Sequence, residues 1–263
     1  MIDHEHDAGE RGCSLLHKLM ATGPIRMPVA IVVAHPDDEM IGVGGSMTRL
    51  LDLTLIHITD GAPTNVADLQ ALGVASRDEY ATMRRAELDA ALAAACVRPV
   101  RRLCYAVPDQ RAASDLNAIV QRLAADLMSV EVVITHPYEG GHVDHDACAL
   151  GVHAAVATLQ DLTGRSPAIV EFASYYRRHG EVRAGLFWPD PQRPEFELKL
   201  SPSAVRRREA AFACFTSQRN NLQYFSLQTE RFRLAPAYDF GRPAPPENAE
   251  AEPRRKTEWQ LNE

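Results

Sequence analysis

Five short apolar runs recur along the chain, at Met27–Ala34, Leu53–Ile58, Val100–Tyr105, Glu131–Thr135 and Ala168–Tyr175. Runs of β-branched and small apolar residues with little polar alternation suit strands buried on both faces. Between them lie stretches that read as helices: Met40–Leu50, Arg77–Ala95, a segment opened by Ser114 as N-cap and running to Met128, and Ala147–Leu159. Strand and helix alternating at this rhythm predict right-handed βαβ units. The fold class is therefore α/β: a Rossmann-like three-layer fold with a mostly parallel central sheet and helices on both faces. Beyond Tyr176 the pattern changes. Phe187-Trp188-Pro189, Phe196–Leu200 and several prolines predict a C-terminal elaboration of loops and short strands. A helix to Phe215 follows, with Ser201 as N-cap and Pro202 at its first position. Residues 1–10 read as disordered, and Arg11–Met20 as a short helix that covers the sheet or a partner. The division expected is an N-terminal extension (1–24), one α/β domain (25–240) and a mobile Pro- and charge-rich tail (241–263).

The first strand ends abruptly in His35-Pro36-Asp37-Asp38-Glu39. Pro36 biases His35 away from the α region and presets its own φ for a first helical turn. His35 should thus sit at the carboxyl end of a strand, with Asp37 and Asp38 at the start of a helix. In open parallel sheets, that edge is where ligands bind. A histidine and two carboxylates crowded there are costly without a partner, and a divalent cation would satisfy them. A second junction has the same character. His136-Pro137-Tyr138-Glu139-Gly140-Gly141-His142-Val143-Asp144-His145-Asp146 follows the fourth apolar run and precedes a helical pattern. Either junction alone reads equally well as a turn with Asp caps; both together point to one metal site.

Composition narrows the function classes. The net charge is −7, which argues against a nucleic-acid surface. Arg206-Arg207-Arg208 reads as a solvated helix face, and Arg254-Arg255-Lys256 as a charged tail. No apolar run reaches the ~20 residues needed to span a bilayer, and no signal-peptide pattern opens the chain. Five scattered cysteines form no C-x-x-C pair, as expected of free thiols in a cytoplasmic protein. Gly42-Val43-Gly44-Gly45 falls inside the helix after the first strand, not at the turn where a dinucleotide fingerprint needs it. These glycines read as permitting close helix–sheet packing. His57, inside an apolar strand, reads as a core histidine. Asp60 reads as a turn former or a neighbour of the site, and residues 64–76 as a loop bordering the pocket.

Ala34–Glu39 and His142-Val143-Asp144-His145 together resemble the signatures of the PIG-L/LmbE-like family of zinc-dependent N-acetyl (amino sugar) deacetylases, over about the first 175 residues. The resemblance implies metal ligands His35, Asp38 and His145 around Zn²⁺, with Fe²⁺ or Co²⁺ also compatible with such donors. It implies Asp37 as general base and His142 as electrostatic and acid partner of the leaving amine. Asp144 is expected either to hold the His142 ring or to cap the following helix. Arg84, in an Arg-x-x-Glu spacing with Glu87, is expected as a substrate contact or a surface ion pair. Asp109 is expected near the site. Gly140 stands where one branch of the family has a tyrosine, and Tyr138 is the nearby candidate to substitute for it. His136 is expected in the pocket only. The implied partner is a small-molecule amino sugar or glycoconjugate; oligomeric state, a homo-oligomer included, is left open. The alternative is a nucleotide- or dinucleotide-binding α/β protein without metal hydrolysis.

Overall fold

In the computed structural model, which describes residues 2–71, 73–179 and 181–244, the strands are β1 (Ile25–Val33), β2 (Leu50–Pro63), β3 (Arg101–Asp109), β4 (Val132–Thr135), β5 (Ala168–Phe172), β6 (Tyr175–Arg178), β7 (Glu181–Ala184), β8 (Phe196–Lys199) and β9 (Thr229–Leu234). The helices are α1 (Ile2–Met20), α2 (Asp38–Val43), α3 (Val66–Ala71), α4 (Arg77–Ala94), α5 (Leu116–Asp126), α6 (Val143–Thr163), α7 (Pro202–Phe212) and α8 (Arg219–Leu222). The central sheet has seven strands in the order β3-β2-β1-β4-β5-β9-β8. The first five are parallel, and β9 and β8 add an antiparallel edge. The three-layer α/β expectation holds.

The apolar alternation of β1 divides the core between the two faces. Val29, Ile31 and Val33 pack with Leu15, Leu16 and Leu19 of α1, Leu88 and Leu92 of α4 and Ala211 of α7. Ala30, Val32 and Ala34 face the other way, with Ile119 and Leu123 of α5 and Val152 and Leu159 of α6. Both faces of β1 are thus covered, which is why the run carries no polar alternation. β1 lies between β2 and β4, so the chain order reverses there. The crevice outside the carboxyl ends of β1 and β4 is the switch point of the sheet. Both His/Asp junctions open into it.

Several expectations need correction. The first helix begins at Ile2, so residues 2–10 are helical, not disordered. Arg11 pairs with Asp7 and donates to Ser166 O at 2.7 Å, tying this helix to the sheet domain. The fifth strand stops at Phe172, and Tyr175 starts the separate β6–β7 hairpin. α3 lies within the stretch expected as a loop, and β9 and α8 had no counterpart in the sequence reading. The tail beyond residue 244, including Arg254-Arg255-Lys256, lies outside the described residues.

The helix after β1 also ends early, at Val43, with a 3-10 turn at Met47–Arg49. Two glycines in succession favour the break, and buried charges take up the released backbone groups. Arg208 donates to Met40 O at 3.1 Å and also to Ile41 O, while Glu230 Oε1 accepts from Gly45 N at 2.6 Å. Arg208 is therefore a buried capping residue and not part of a solvated face; Arg206 is the exposed member of that cluster. A Cβ at Gly42 would collide with the Phe172 ring, and one at Gly45 with Leu200, as the close-packing reading requires.

A buried ion network braces the second junction. Arg233 on β9 donates to Glu171 Oε2 at 2.7 Å and to Glu139 Oε1 at 2.8 Å. Tyr238 Oη donates to Glu171 Oε1 at 2.8 Å. Removing one partner of a buried pair leaves charge uncompensated, at about 3–5 kcal/mol. Arg233→Met is expected to lower stability by that order, read as the midpoint of denaturant unfolding; a change below about 1 kcal/mol would contradict the network's role.

His153 on α6 packs between the rings of Tyr238 (5.5 Å) and Phe240 (5.2 Å). Its Nε2 is buried without a hydrogen-bond partner, and desolvation lowers its pKa to about 4. The folded state resists the proton that the unfolded chain accepts near pH 6.5. The stabilising contribution is complete above that pH and is lost as pH falls toward 4, by up to about 1.4 kcal/mol per unit. Between pH 7 and 5, Tm should fall less for His153→Phe than for the natural chain; parallel curves would refute this.

Candidate metal centre and cleft

The cleft is lined on one side by His35, Asp37, Asp38, Gly61, Arg84, Asp109, His142 and His145. Ile41, Tyr175, Leu222 and Phe225 close it with an apolar wall, beside Gln218 and Asn221. α2 begins at the cleft because Pro36 turns the chain there. Asp38 Oδ2 accepts from the backbone N of His35 at 2.8 Å, which locks the turn.

Donor atoms converge on Asp38. His35 Nδ1 lies 3.3 Å from its Oδ2, and His145 Nε2 lies 3.3 Å from its Oδ1. Three overlapping groups of described residues could hold a metal ion: His35, His142 and His145; His35, Asp109, His142 and Asp144; and Asp38, His136 and His145. The expected ligands His35, Asp38 and His145 are thus brought together from β1, α2 and α6. The protonation states suit a cation. Burial, then the neighbouring His136, pushes the His145 pKa well down, so its ring is neutral. Burial opposes charge on Asp38, but His145 and His136 outweigh it and hold the carboxyl well below its usual range. Imidazole nitrogens around an ionised carboxylate are the donor set that divalent zinc, iron or cobalt takes.

His35 is oriented from behind. Its Nε2 lies 2.9 Å from Asp109 Oδ1 and 3.2 Å from Asp144 Oδ2. A nitrogen between two carboxylates carries a proton, and this fixes the ring with Nδ1 facing Asp38. Burial disfavours a charged His35 ring, but Asp109 leads a set of carboxylates that raise its pKa well above the ordinary value. Asp109 is therefore held against a histidine ring as well as bordering the cleft.

The Asp144 carboxylate shares a donor group with His142, His35 and Asp109, and it has backbone partners as well. Its Oδ1 accepts from Ala112 N at 3.0 Å and its Oδ2 from Gln110 N at 2.6 Å. It ties the loop after β3 to α6 and steadies His35. His142 is the N-cap of α6: its Nδ1 accepts from Asp144 N at 3.1 Å. Nε2 is then the nitrogen of His142 that bears a proton. Its ring stands edge-on to His35 at 4.7 Å. His136 is fully buried and stacks on His145 at 4.0 Å. Because its Nε2 accepts from Ala34 N at 3.1 Å, it supports His145 from below and does not line the cleft.

Asp37 is buried beside the cleft, with Oδ2 3.0 Å from Arg84 Nη2. Desolvation pushes its pKa up to about 7 against the pull of Arg84. Arg84 is 2% exposed, so the surface ion pair is excluded. Glu39 Oε2 accepts from Asp37 N at 3.1 Å and meets His57 Nε2 at 3.0 Å. His57 is the buried core histidine expected, and it backs the first motif. Asp60 accepts from Ala62 N at 3.1 Å and pairs with Arg77, as a turn former. Tyr138 does not reach the cleft. Its hydroxyl donates to Arg242 O at 3.0 Å, and its ring packs on Tyr238 and Phe240. The wall residues Gln218, Asn221, Leu222 and Phe225 were missed, because nothing in their short polar segment marks them as lining a site.

Fold and site together define an α/β protein of Rossmann-like build with a histidine–carboxylate metal-type cluster at the sheet's switch point. The chain resembles the PIG-L family: residues 30–156 match the family model described as GlcNAc-PI de-N-acetylase. A curated relative is 1D-myo-inositol 2-acetamido-2-deoxy-alpha-D-glucopyranoside deacetylase 2 of Catenulispora acidiphila, 28% identical over 209 residues. That match covers 68% of this chain and 64% of the relative. Among solved structures, the 4-carboxy-2-hydroxymuconate hydratase GalB of Pseudomonas putida KT2440 superposes with a TM-score of 0.60 at 17% identity, covering 81% of this chain and 98% of that one. The zinc-inhibited form of teicoplanin deacetylase Orf2 superposes with a TM-score of 0.53 at 14% identity, covering 80% and 99%. At these identities the structures establish the shared fold; a hydratase and a deacetylase on one fold mean that the chemistry must come from the site. The nucleotide-binding alternative loses its motive here. Gly42 and Gly45 are committed to Phe172 and Leu200, and the strand-to-helix turn is His-Pro-Asp-Asp.

Proposed function

We propose that this chain is a metal-dependent cytoplasmic hydrolase that removes an N-acetyl or other N-acyl group from an N-acetylglucosamine-type amino sugar or its conjugate. The observation that carries the reading is the approach of His35 and His145 to Asp38, each at 3.3 Å, beside a buried carboxylate, Asp37, and a proton-bearing histidine, His142. The match to the family model and the deacetylase relative support the amide as the bond attacked. His35, Asp38 and His145 would hold Zn²⁺, with Fe²⁺ or Co²⁺ as other candidates; when bound, the metal supplies Lewis acidity toward the scissile carbonyl and water.

The chain's own residues do the rest. Asp37 accepts the proton of the attacking water, and its elevated pKa makes it a stronger base than an exposed carboxylate. Attack at the carbonyl carbon builds negative charge on oxygen, which the proton on His142 Nε2 stabilises. Proton transfer to the amide nitrogen accompanies C–N cleavage, giving a carboxylate and a free amine. The apolar wall of Ile41, Tyr175, Leu222 and Phe225 excludes bulk water from one side of the cleft. The test is to load the protein with zinc and supply N-acetylglucosaminyl-inositol, N-acetylglucosamine and other N-acyl amino sugars. Acetate and primary amine should appear in equal amounts. No amine from any of them, with metal bound, would overturn the reading.

A further inference from the structure

We propose that Arg84 is a positioning residue: it fixes the orientation of Asp37 and is not a contact for substrate. The inference rests on the amide-hydrolysis reading and assigns Arg84 a role within it.

A guanidinium has five N–H donors. In Arg84, Nη2 donates to Pro36 O at 2.7 Å and to Asp37 Oδ2 at 3.0 Å. Nη1 meets Glu87 Oε2 at 3.5 Å and Ser217 Oγ at 3.4 Å. Nε is buried without a partner, out of a ligand's reach. Both terminal nitrogens are thus engaged by this chain's own atoms, although Arg84 also borders the cleft. An arginine that reads an anionic or hydroxylated ligand needs the opposite arrangement, with its fork turned outward.

Behind it, Glu87 is anchored more firmly than an ordinary helical ion pair. Its Oε1 accepts from Thr216 Oγ1 and Ser217 N, both at 2.8 Å, and its Oε2 from Ser217 Oγ at 2.7 Å. Glu87 and Arg84 share a face of α4, and the Arg84 guanidinium lies 6.0 Å from the centre of the Phe215 ring. A rigid line thus runs from the turn at Thr216–Ser217 through Glu87 and Arg84 to Asp37. On Asp37 it occupies Oδ2 alone. Among the described residues no donor meets Oδ1, and it is the oxygen available to a water in the cleft. Rotation of this carboxylate would swap the two oxygens or turn both aside; the double anchor of Nη2 on Asp37 and on Pro36 O prevents it.

The experiment uses the full zinc-loaded chain with N-acetylglucosaminyl-inositol as substrate, and compares Arg84→Met, Arg84→Lys and Glu87→Gln. A misplaced base loses about 100-fold in rate. For Arg84→Met, kcat is expected to fall by about that factor, with KM within about threefold of the natural chain. Metal content should stay at one per chain, and the dissociation constant for glucosamine, measured calorimetrically, should be unchanged. Arg84→Lys, which keeps the charge on a single donor nitrogen, should recover part of kcat. An unchanged kcat, or a rise in KM and in the glucosamine dissociation constant at preserved kcat, overturns the proposal in favour of a structural or a substrate-binding role. Should Arg84→Met fail to fold, Glu87→Gln decides: kcat lowered several-fold at constant KM supports the relay, and full kcat refutes it. Absence of turnover by the natural chain would instead remove the amide-hydrolysis reading, and this inference with it.

Discussion

Asp37→Asn is expected to keep one metal per chain and to lose about 10²- to 10⁴-fold in turnover, the range typical of a deleted general base. The substitution is close to isosteric, and the amide oxygen can still accept from Arg84, so the local structure should persist. What disappears is the capacity to take a proton. Desolvation raises the pKa of Asp37 to about 7, so the carboxylate is poised to exchange a proton near neutrality. Its neighbour Asp38, held well below the usual range by His145 and His136, is suited to coordinate and not to accept protons. Two adjacent aspartates thus have separate duties because their environments differ. The decisive comparison is metal content beside initial rates of amine release. Full rate in Asp37→Asn would remove the base assignment, and loss of metal would show that Asp37 belongs to the binding set instead.

His145→Ala is expected to abolish stoichiometric metal binding. His145 is the group that joins the second junction to the first, with Nε2 3.3 Å from Asp38 Oδ1. Without it, His35 and Asp38 remain as two ligands on one turn, too few for a closed site. Asp109→Asn tests the support of His35 separately. An asparagine can present its oxygen to His35 Nε2 but brings no charge, and weakening such an outer partner typically lowers metal affinity by 10- to 100-fold. Both effects are read by competition with a chromogenic chelator, independently of any substrate. Wild-type affinity in His145→Ala would refute the ligand set; wild-type affinity in Asp109→Asn would make that contact incidental.

The inner parallel strands β1, β2 and β4 were legible because they are buried on both faces over most of their length and so leave apolar runs. Both His/Asp junctions were legible for a related reason: charged residues directly after such runs have few bland explanations. β9 was not, because Thr229–Leu234 alternates apolar residues with Glu230, Arg231 and Arg233. Glu230 and Arg233 are buried, Arg233 in ion pairs and Glu230 against Gly45 and Ser46, and no one-dimensional pattern distinguishes a paired buried arginine from a solvated one. Arg208 misled for the same reason. Asp144 and Tyr138 show the limit within the site itself. Sequence placed both near His142, but which way each side chain turns depends on the 110–112 loop and on the Tyr238–Phe240 aromatics, which lie far away in the chain.

Arg208 and Glu230 have a further bearing on modularity. The segment matched to the family, residues 30–156, contains the His/Asp cluster, yet the α2 turn that presents Asp38 is pinned by two charges from the last quarter of the chain. The unit that resembles the family is therefore shorter than the unit that holds the site in shape. Grafting residues 30–156 onto another scaffold would carry the donor atoms across and leave their geometry behind.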